Sequence, residues 1–540
     1  MRKYIFIIIA VSLLVFQSCK KDEVNDINEE KHEKIFYDTD KSSSFVSSGA
    51  TVLGSKLRNP YSVSNMLTAY SNLQEQDPNF PELSISTNYR YIKFMPENEF
   101  QLDLLKEDST IVLYDIPLDY EIVTNGCYYH DPMLPDTAIT YQYCSVPIGK
   151  VLPDVPYSVL ANLFIPPIEQ DIYAKNVDMN PYYEALEEEA YRITGNLDSD
   201  DKSRSNYWTP SGTIRMRDDV LGIIPIEGIK VRARRWFTTY TGITNSQGYF
   251  ECDGQFKNEV NYSFNWERYH FSVRSGDYGQ AKYDGPKQIG DWNLLIDSGS
   301  HEFYAIIFRA AYHYYYGYIQ NLRRPPLNDT WYPQMKISAN YEYNDMYMGF
   351  HHYIWYSTIG IFSRIDIYNP QVDADRIYGA TIHELAHASH WNIDKELYSA
   401  AGSSAIQSIV IESWANGAQW KLTKMIYPNY QYGDYVRCWY TGLIEDLIDG
   451  TGNTESLYYY DGNGGIIEES LSYYDRVTSY TIKQMEDALV GVRTWNEWKN
   501  NIKRMYDNST ESYLDNAFTY WNTQFNQRPP VIDDNFDVYD

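Results

Sequence analysis

Apolar and polar residues alternate along several short segments between residues 212 and 285. Ile229, Val231 and Ala233 are separated by charged residues. A second segment shows the same alternation with larger apolar residues, namely Val260, Tyr262, Phe264 and Trp266. Successive side chains of a strand point to opposite faces of a sheet, so this period of two predicts strands with one buried face. The pattern predicts a small β-sandwich over residues 212–285.

The second half of the chain carries longer segments in which apolar residues recur at helical spacing. Four helices are predicted there, over residues 301–319, 373–391, 405–426 and 481–506. A candidate strand over residues 359–368 precedes the second of these helices. We assign residues 286–530 to one mixed, mostly helical domain.

Residues 51–195 combine short helical segments with segments rich in β-branched and aromatic residues. Strands are predicted over residues 88–95 and 110–113, and helices over residues 64–73 and 181–193. Residues 195–211 are polar and turn-forming, which is typical of a linker. The expected fold class is multidomain α+β, with an N-terminal α/β region, a small β-sandwich and a mostly helical C-terminal domain.

The net charge of the chain argues against one class of partner, nucleic acid. The 540 residues include 45 Lys and Arg and 73 Asp and Glu, which gives a net charge of −28. A chain this acidic repels phosphate backbones, so no nucleic-acid partner is expected. The hydrophobic share of 43% and the charged share of 22% are typical of a globular protein rather than a disordered one.

Residues 1–19 have the pattern of an export signal. Arg2 and Lys3 precede an apolar segment of 13 residues, 4–16, which is too short to span a bilayer and ends shortly before Ser18 and Cys19. A small residue followed by Cys resembles the lipobox of bacterial lipoproteins, although the two residues before Ser18 depart from its usual form. The resemblance implies a lipid anchor through Cys19, and an ordinary secretory signal is the alternative.

Residues 20–50 are polar and Ser-rich, which indicates a flexible tether between the anchor and the folded body. The charged residues directly after Cys19 resemble the surface-export signal of Bacteroidota lipoproteins. This resemblance implies a cell-envelope protein anchored at the outer membrane, facing either the periplasm or the cell surface. No other segment has roughly 18 consecutive apolar residues, so no membrane-spanning helix is expected in the exported protein.

Four further cysteines, Cys127, Cys144, Cys252 and Cys438, show no spacing typical of zinc or redox motifs. Cys127 and Cys144 flank a loop rich in Pro and Asp. Because exported proteins form disulfides, this pair is a candidate hairpin disulfide.

Residues 383–387 read His-Glu-Leu-Ala-His, the pattern of a zinc site on a helix. Residues four apart lie on the same face of a helix, so His383 and His387 can direct both imidazoles at one metal ion. Glu384 lies beside the first ligand, where it can accept a proton from water that the metal activates. The alternatives are an incidental set of polar residues on an exposed helix and a metal site without peptidase activity.

A third metal ligand must come from outside this pattern. Glu412 is the strongest candidate, because it is a carboxylate inside an apolar helix and needs a partner that a zinc ion can supply. His390 and Asp394 are weaker alternatives, since His390 lies a further turn along a straight helix. The alternative role for Glu412 is that of a structural acid with a local partner.

The order of these residues, with H-E-x-x-H on one helix and a glutamate on the next, resembles the gluzincin clan of metallopeptidases, to which thermolysin belongs. The resemblance implies a zinc ion held by His383, His387 and Glu412, with Glu384 as general base, in a zincin-like catalytic domain. Many zinc peptidases also place an edge strand before the motif helix. The candidate strand over residues 359–368 would then pair with an extended substrate.

Gluzincins often stabilise the oxyanion of the reaction with a Tyr or His that follows the third ligand. No His follows His390 in this chain, so a tyrosine is expected. Tyr474 is our choice from Tyr473, Tyr474 and Tyr480, which lie close to Arg476.

Three segments of the predicted sandwich, residues 212–214, 225–231 and 244–250, resemble the carboxypeptidase-regulatory, transthyretin-like domain. In that family the Thr-x-x-x-Gly-x-Phe element, here Thr244 to Phe250, is a hairpin turn. The resemblance implies a structural or binding role for this domain rather than a catalytic one.

The expected function is that of a zinc-dependent metallopeptidase that hydrolyses proteins or glycoproteins outside the cytoplasm. The complete water-activating set of residues favours this hypothesis. The alternative is a surface lipoprotein that binds a glycan or a protein and retains zinc as a structural or relic site. A metal-dependent hydrolase of a non-peptide bond is a third possibility.

Overall fold

The computed structural model describes residues 49–135, 138–167, 180–197, 207–276, 279–329, 333–341, 349–356, 360–369, 372–394, 406–430, 441–450, 454–460 and 466–527. The predicted signal segment, Cys19, Cys438 and nearly all of the predicted tether lie outside these ranges. Residues Val46–Asp540 form one compact unit to which helices and strands both contribute, in agreement with the predicted α+β class. No helix among the described residues is both long and apolar enough to cross a bilayer.

The N-terminal part of the described chain mixes short strands with helices. In chain order its elements are β1 (Val52–Lys56), α1 (Val63–Gln76), β2 (Tyr89–Phe94), α2 (Glu99–Glu107), β3 (Tyr120–Thr124), β4 (Gln142–Pro147), β5 (Tyr157–Leu163) and α3 (Asn180–Thr194). Strand β2 lies between β4 and β5 in an antiparallel sheet, and β1 pairs with β3. The predicted strand over residues 88–95 and both predicted helices are confirmed.

The predicted strand over residues 110–113 is wrong. The chain leaves α2 through a turn in which the carboxylate of Asp108 accepts hydrogen bonds from the amide of Thr110 at 3.1 Å and from its hydroxyl at 2.6 Å. Such a turn offers the backbone an alternative to sheet hydrogen bonds. The β-branched residues that follow therefore form no regular strand.

Strands dominate residues 211–296. In chain order they are β6 (Ser211–Asp218), β7 (Gly222–Pro225), β8 (Lys230–Arg235), β9 (Thr238–Ile243), β10 (Tyr249–Glu251), β11 (Val260–Asn265), β12 (Glu267–Arg268), β13 (Phe271–Ser275), β14 (Gly279–Gln280), β15 (Lys282–Gln288) and β16 (Trp292–Ile296). One sheet has the order β10-β6-β16 with β7 beside β6, and a second has the order β15-β11-β8-β9.

The apolar residues of the alternating segments are buried, as the sequence predicts. Ile229, Val231 and Ala233 are inaccessible to solvent. The larger residues of the second segment are at most 1% exposed, namely Val260, Tyr262, Phe264 and Trp266. Trp292 of the first sheet packs against Tyr262 of the second, with ring centroids 5.4 Å apart. The two sheets therefore contact each other through their apolar faces.

Residues 244–250 form a turn with the hydrogen bonds of a hairpin, since the amide of Asn245 donates to the carbonyl of Tyr249 at 2.9 Å. Gly248, with a φ of +73°, donates its amide to the carbonyl of Asn245 at 2.8 Å and so closes the turn. The flanking strands belong to different sheets, because β9 pairs with β8 whereas β10 pairs with β6. The turn therefore carries the chain from one sheet to the other.

Strand pairs cross residue 285, where the sequence pattern places a domain boundary. Strand β16 pairs in parallel with β6, and β13 pairs in parallel with β17 (Met335–Asn340). The second pairing extends into a sheet of order β12-β13-β17-β19-β18, where β18 is Gly349–Tyr356 and β19 is Gly360–Tyr368. One apolar core continues from the strands into the helices beyond them.

The remaining elements are mostly helical. The helices are α4 (Gly299–Tyr316), α5 (Ala374–Ile393), α6 (Ser408–Lys424), α7 (Leu443–Ile448), α8 (Ile482–Asp487), α9 (Trp495–Met505) and α10 (Leu514–Gln527), with a 3-10 turn at Glu511–Tyr513. Strands β20 (Thr454–Tyr460) and β21 (Ile466–Tyr474) form an antiparallel pair. Three of the four predicted helices are confirmed by α4, α5 and α6.

The fourth predicted helix, over residues 481–506, is wrong because two helices occupy this range. The first, α8, ends at Asp487, and Gly491, with a left-handed φ of +74°, lies in the turn between the two helices. Thr494 then caps α9, and its side chain accepts a hydrogen bond from the amide of Glu497.

The candidate disulfide between Cys127 and Cys144 is also wrong. Cys144 on β4 is a free thiol in a small core with Ile92 and Phe94. Cys127 is buried in the main core instead. Because the two residues belong to different cores, they are not joined to each other.

The end of β6 connects the strands to the helices around the H-E-x-x-H segment. Asp218 is 1% exposed and accepts hydrogen bonds from Arg309 of α4 at 2.9 Å and from the hydroxyl of Tyr427 at 2.6 Å. The guanidinium of Arg309 also lies 5.7 Å from the ring centroid of Tyr378 on α5. A buried ion pair therefore ties β6 to α4 and α5.

Replacing Asp218 by Ala is expected to lower the free energy of unfolding by about 3–5 kcal/mol, because the Arg309 cation stays buried without its counter-charge. Urea unfolding followed by tryptophan fluorescence measures this loss. The neighbouring variant Asp219→Ala is the control, since it removes only the acceptor of the Ala374 amide at the start of α5, 2.9 Å away. A lost helix cap costs about 1 kcal/mol, so equal losses for the two variants would contradict the expectation.

Candidate metal centre

Helix α5 carries the H-E-x-x-H segment through the core, with His383, Glu384 and His387 each 6% exposed. Asp373 occupies the N-cap position, but its side chain makes no capping hydrogen bond. The carboxylate of Asp219 accepts a hydrogen bond from the amide of Ala374 instead. An acid at a helix N-terminus also complements the helix dipole, so the strand region helps to define where α5 begins.

His383, His387 and Glu412 come together where α5 packs against α6. The Nε2 atom of His383 lies 3.3 Å from Oε2 of Glu412, and the Nε2 atom of His387 lies 3.4 Å from the same oxygen. The candidate ligand atoms of all three residues lie within 4.8 Å of one another. The packing of two helices thus brings together the three residues that the sequence suggests as metal ligands.

The spacing of these atoms fits a zinc ion. Nitrogen and oxygen ligands lie about 2.0–2.1 Å from zinc, so two ligands of a tetrahedral site are roughly 3.3 Å apart. The two measured N–O separations, 3.3 and 3.4 Å, have this length. The side chain of Glu412 is 25% exposed, so the cluster is open to solvent on one side. A catalytic zinc site needs such an open position.

The two carboxyl groups near the histidines have opposite electrostatic environments. Burial opposes ionisation of Glu412, but the imidazoles of His387 and His383 outweigh burial and lower its pKa. Burial raises the pKa of Glu384 to about 8. The charge of His383 lowers this pKa, whereas the charges of Glu412 and Asp366 raise it further. Glu412 is therefore poised to be an anion beside a cation, whereas Glu384 can exchange a proton near neutral pH.

A chain of hydrogen bonds holds the ring of His383. Its Nδ1 atom lies 3.0 Å from Oε1 of Gln419, and Nε2 of Gln419 donates to the hydroxyl of Tyr430 at 2.6 Å. The amide of Gln419 is thereby oriented with its oxygen toward His383, so Nδ1 carries the proton and Nε2 presents its lone pair to the cluster. A side chain on Gly379, one turn earlier, would meet the Tyr430 hydroxyl at 2.5 Å. Glycine there leaves room for this support.

Replacing Gln419 by Leu is expected to weaken zinc binding about 10- to 100-fold, because His383 loses the partner that orients it. Competition with a chromogenic chelator measures the affinity. The variant Tyr430→Phe keeps Gln419 in place and removes only the outer hydrogen bond, so its loss is expected to be smaller. Unchanged affinity in Gln419→Leu would show that Gln419 does not position the ligand.

The other candidate ligands and the candidate oxyanion residue lie apart from this cluster. His390 is 1% exposed, and burial, together with the charge of His387, lowers its pKa to about 3. Neither His390 nor Asp394 belongs to the group of clustered ligand atoms. Tyr474 is 59% exposed at the end of β21, and the guanidinium of Arg476 lies 5.9 Å from its ring centroid. No described contact brings Tyr474 to the cluster, so its role stays a prediction.

The expected edge strand is in the interior of its sheet. Residues 360–368 form β19, as predicted, but β19 has β17 on one side and β18 on the other. One edge of the described sheet is β18, which pairs with β19 in an antiparallel hairpin. The periodicity of a single segment gives no information on its neighbours, which explains the error.

Comparison with known proteins does not identify a family or a function for this chain. No family model, curated protein or solved structure matches this chain. Function is therefore inferred from the clustered side chains and their surroundings.

The sequence analysis did not predict Gln419 and Tyr430 as supporting residues. Gln419 lies seven residues after Glu412 on the same helix face, a spacing that could have indicated it. No sequence signal marks Asp219 as the residue that caps α5.

Proposed function

We propose that this chain is a zinc-dependent metallopeptidase of gluzincin type. His383, His387 and Glu412 would hold the metal, and Glu384 would be the general base. The observation that carries the proposal is the convergence of two imidazole nitrogens and one carboxylate oxygen beside a buried glutamate, with both N–O separations equal to those of a tetrahedral zinc site. The alternative of an exposed helix with incidental polar residues disagrees with the burial of all three motif residues.

Each residue of the motif has a distinct task in this proposal. Zinc, when bound, supplies a Lewis acid that polarises the substrate carbonyl and lowers the pKa of water toward ~7. Glu384 takes a proton from the attacking water and passes it to the leaving amine. Gln419 holds His383 in the tautomer that can bind metal. The oxyanion would be stabilised by a group from a later segment, for which Tyr474 is the candidate.

The sheet beside α5 supports a peptide as the substrate. Strand β18 forms one edge of the described sheet and pairs with β19 on one side only, among the strands that the structure describes. An extended peptide can add to such an edge through main-chain hydrogen bonds, as in other cases of strand addition. We therefore favour an extended segment of a protein or glycoprotein over a small molecule.

The proposal includes the finer organisation of the chain. An export signal and a lipid anchor at Cys19 would place the protein in the cell envelope, with residues 20–50 as tether. The sheets over residues 212–285 would form a domain of the carboxypeptidase-regulatory type, and residues 286–530 a zincin-like catalytic domain. The N-terminal region and these sheets would hold the catalytic part away from the membrane.

The test is hydrolysis of unfolded casein and of a glycoprotein such as mucin by the purified chain. Protein stripped with a chelator is expected to be inactive and to regain activity with about one equivalent of zinc. Bound zinc without hydrolysis of either substrate would favour the alternative, a binding lipoprotein with a structural zinc site.

A further inference from the structure

A cavity of about 290 Å³ lies between the N-terminal elements and the strands, and none of the clustered metal-site residues lines it. Residues of α2 and of the turn after it form one wall, and residues of β8, β12 and β13 form the others. Apolar side chains such as Ile111 and Leu113 line part of the cavity. Amide side chains such as Gln142 and Asn328 line another part.

Positive charge outweighs negative charge in the lining of this cavity. Its cationic side chains are Lys106, Lys230, Arg232, Arg268 and Arg274, and its acidic ones are Asp108, Asp115 and Glu267. Two of these acids have partners outside the lining, since Asp108 pairs with Lys150 at 2.6 Å and Asp115 with Lys282 at 3.0 Å. Glu267 is left to pair with both Lys106 and Arg232. Of the three acids in the lining, Glu267 alone forms ion pairs with lining cations, and Arg274 pairs with Glu99 outside the lining.

Two of the five cations, Lys230 and Arg268, form no ion pair with an acid in the part of the chain that the structure describes. Lys230 is half-buried, and burial and the charge of Arg232 lower its pKa. The guanidinium of Arg268 lies 5.6 Å from the ring centroid of Tyr316. Its Nε atom is buried and has no hydrogen-bond partner among the described residues.

Arg274 adds a third incompletely satisfied cation. It is 1% exposed, and its ion pair with Glu99 is 3.4 Å long, whereas Glu99 also pairs with Lys336 at 2.6 Å. Its Nε atom, like that of Arg268, is buried without a hydrogen-bond partner in the described chain. A half-buried cation without an ion pair costs free energy, and proteins retain such costs where function requires them.

We propose that this cavity binds a small organic anion whose carboxylate, sulfate or phosphate group contacts Lys230 and Arg268. Charged hydrogen bonds from lysine and arginine are the usual means of holding these groups. The amide and apolar walls would contact the remainder of the molecule. A cavity of about 290 Å³ has room for a ligand the size of an acidic monosaccharide and not for a polymer. The site is independent of the proposed zinc chemistry.

Isothermal titration calorimetry of the chain with sodium sulfate, sodium phosphate and sodium glucuronate tests the proposal, at constant ionic strength and with glucose as the neutral control. We expect saturable binding of at least one anion and none of glucose. Lys230→Met is expected to weaken binding about 10- to 100-fold, because one charged hydrogen bond is lost. Lys56→Met removes an equal charge from a side chain that is 62% exposed and lies outside the cavity, so affinity should not change.

Two results would overturn the proposal in this titration: no saturable binding of any of the three anions, or equal affinity in the Lys230→Met variant and the wild type. A thermal measurement in anion-free buffer gives an independent check. There Lys230→Met is expected to unfold at the wild-type temperature or above it, because it removes an unpaired charge. A lower unfolding temperature would show that Lys230 has a structural partner, and would also overturn the proposal.

Discussion

The variant Glu384→Gln is expected to hydrolyse peptide bonds roughly 10²- to 10⁴-fold more slowly than the wild type while it still binds zinc. Glutamine keeps the size of glutamate but cannot accept the proton of the attacking water. The metal ligands are His383, His387 and Glu412 in our account, so the change leaves the ligand set intact. Initial rates of casein cleavage, together with zinc content by elemental analysis, separate the two effects.

A matched substitution far from the cluster makes this result interpretable. Glu251→Gln changes an exposed glutamate on β10 in the same way and should leave the rate unchanged. If Glu384→Gln retained full activity with zinc bound, Glu384 would not be the general base. If Glu384→Gln lost its zinc as well as its activity, the residue would have to act in metal binding instead.

The variant Glu412→Ala is expected to raise the dissociation constant for zinc by more than about 100-fold. Loss of a residue that only orients a ligand costs 10- to 100-fold, and loss of a ligand itself costs more. Alanine also removes the carboxylate that lies 3.3 Å from His383 and 3.4 Å from His387, so two imidazoles alone would remain. Titration against a chelator of known affinity measures the constant.

His390→Asn is the control for this variant, because His390 is buried on the same helix but is outside the cluster of ligand atoms. Its zinc affinity should stay within a few-fold of the wild-type value. The reverse pattern, with zinc lost from His390→Asn and kept by Glu412→Ala, would assign the third ligand position to His390. Circular dichroism of both variants would show that the helices are still folded.

The residues of the candidate metal site could be predicted because their signals are local. The spacing of His383 and His387 places them on one face of any helix, and Glu412 is conspicuous as an acid in an apolar helix. The helices that carry them are long and strongly periodic, which is the pattern that sequence reasoning identifies best. The three side chains then come together because α5 packs against α6.

Other features depend on contacts between distant segments, and no local pattern reveals them. Asp219 caps α5 from 155 positions away, and Asp218 pairs with Arg309 from 91 positions away. The position of β18 at the sheet edge depends on which strands happen to be its neighbours. The turn that contains Gly491 is different, because a glycine between two helical segments is a local signal for a break.

Bound zinc in the unaltered protein tests the central claim most directly. The chain is stripped of metal with a chelator, exposed to excess zinc, desalted and examined by elemental analysis. Our account predicts about one zinc per chain, because the three clustered protein ligands bind a single ion. Protein that retains no zinc after this treatment would contradict the metal centre, and with it the proposed peptidase.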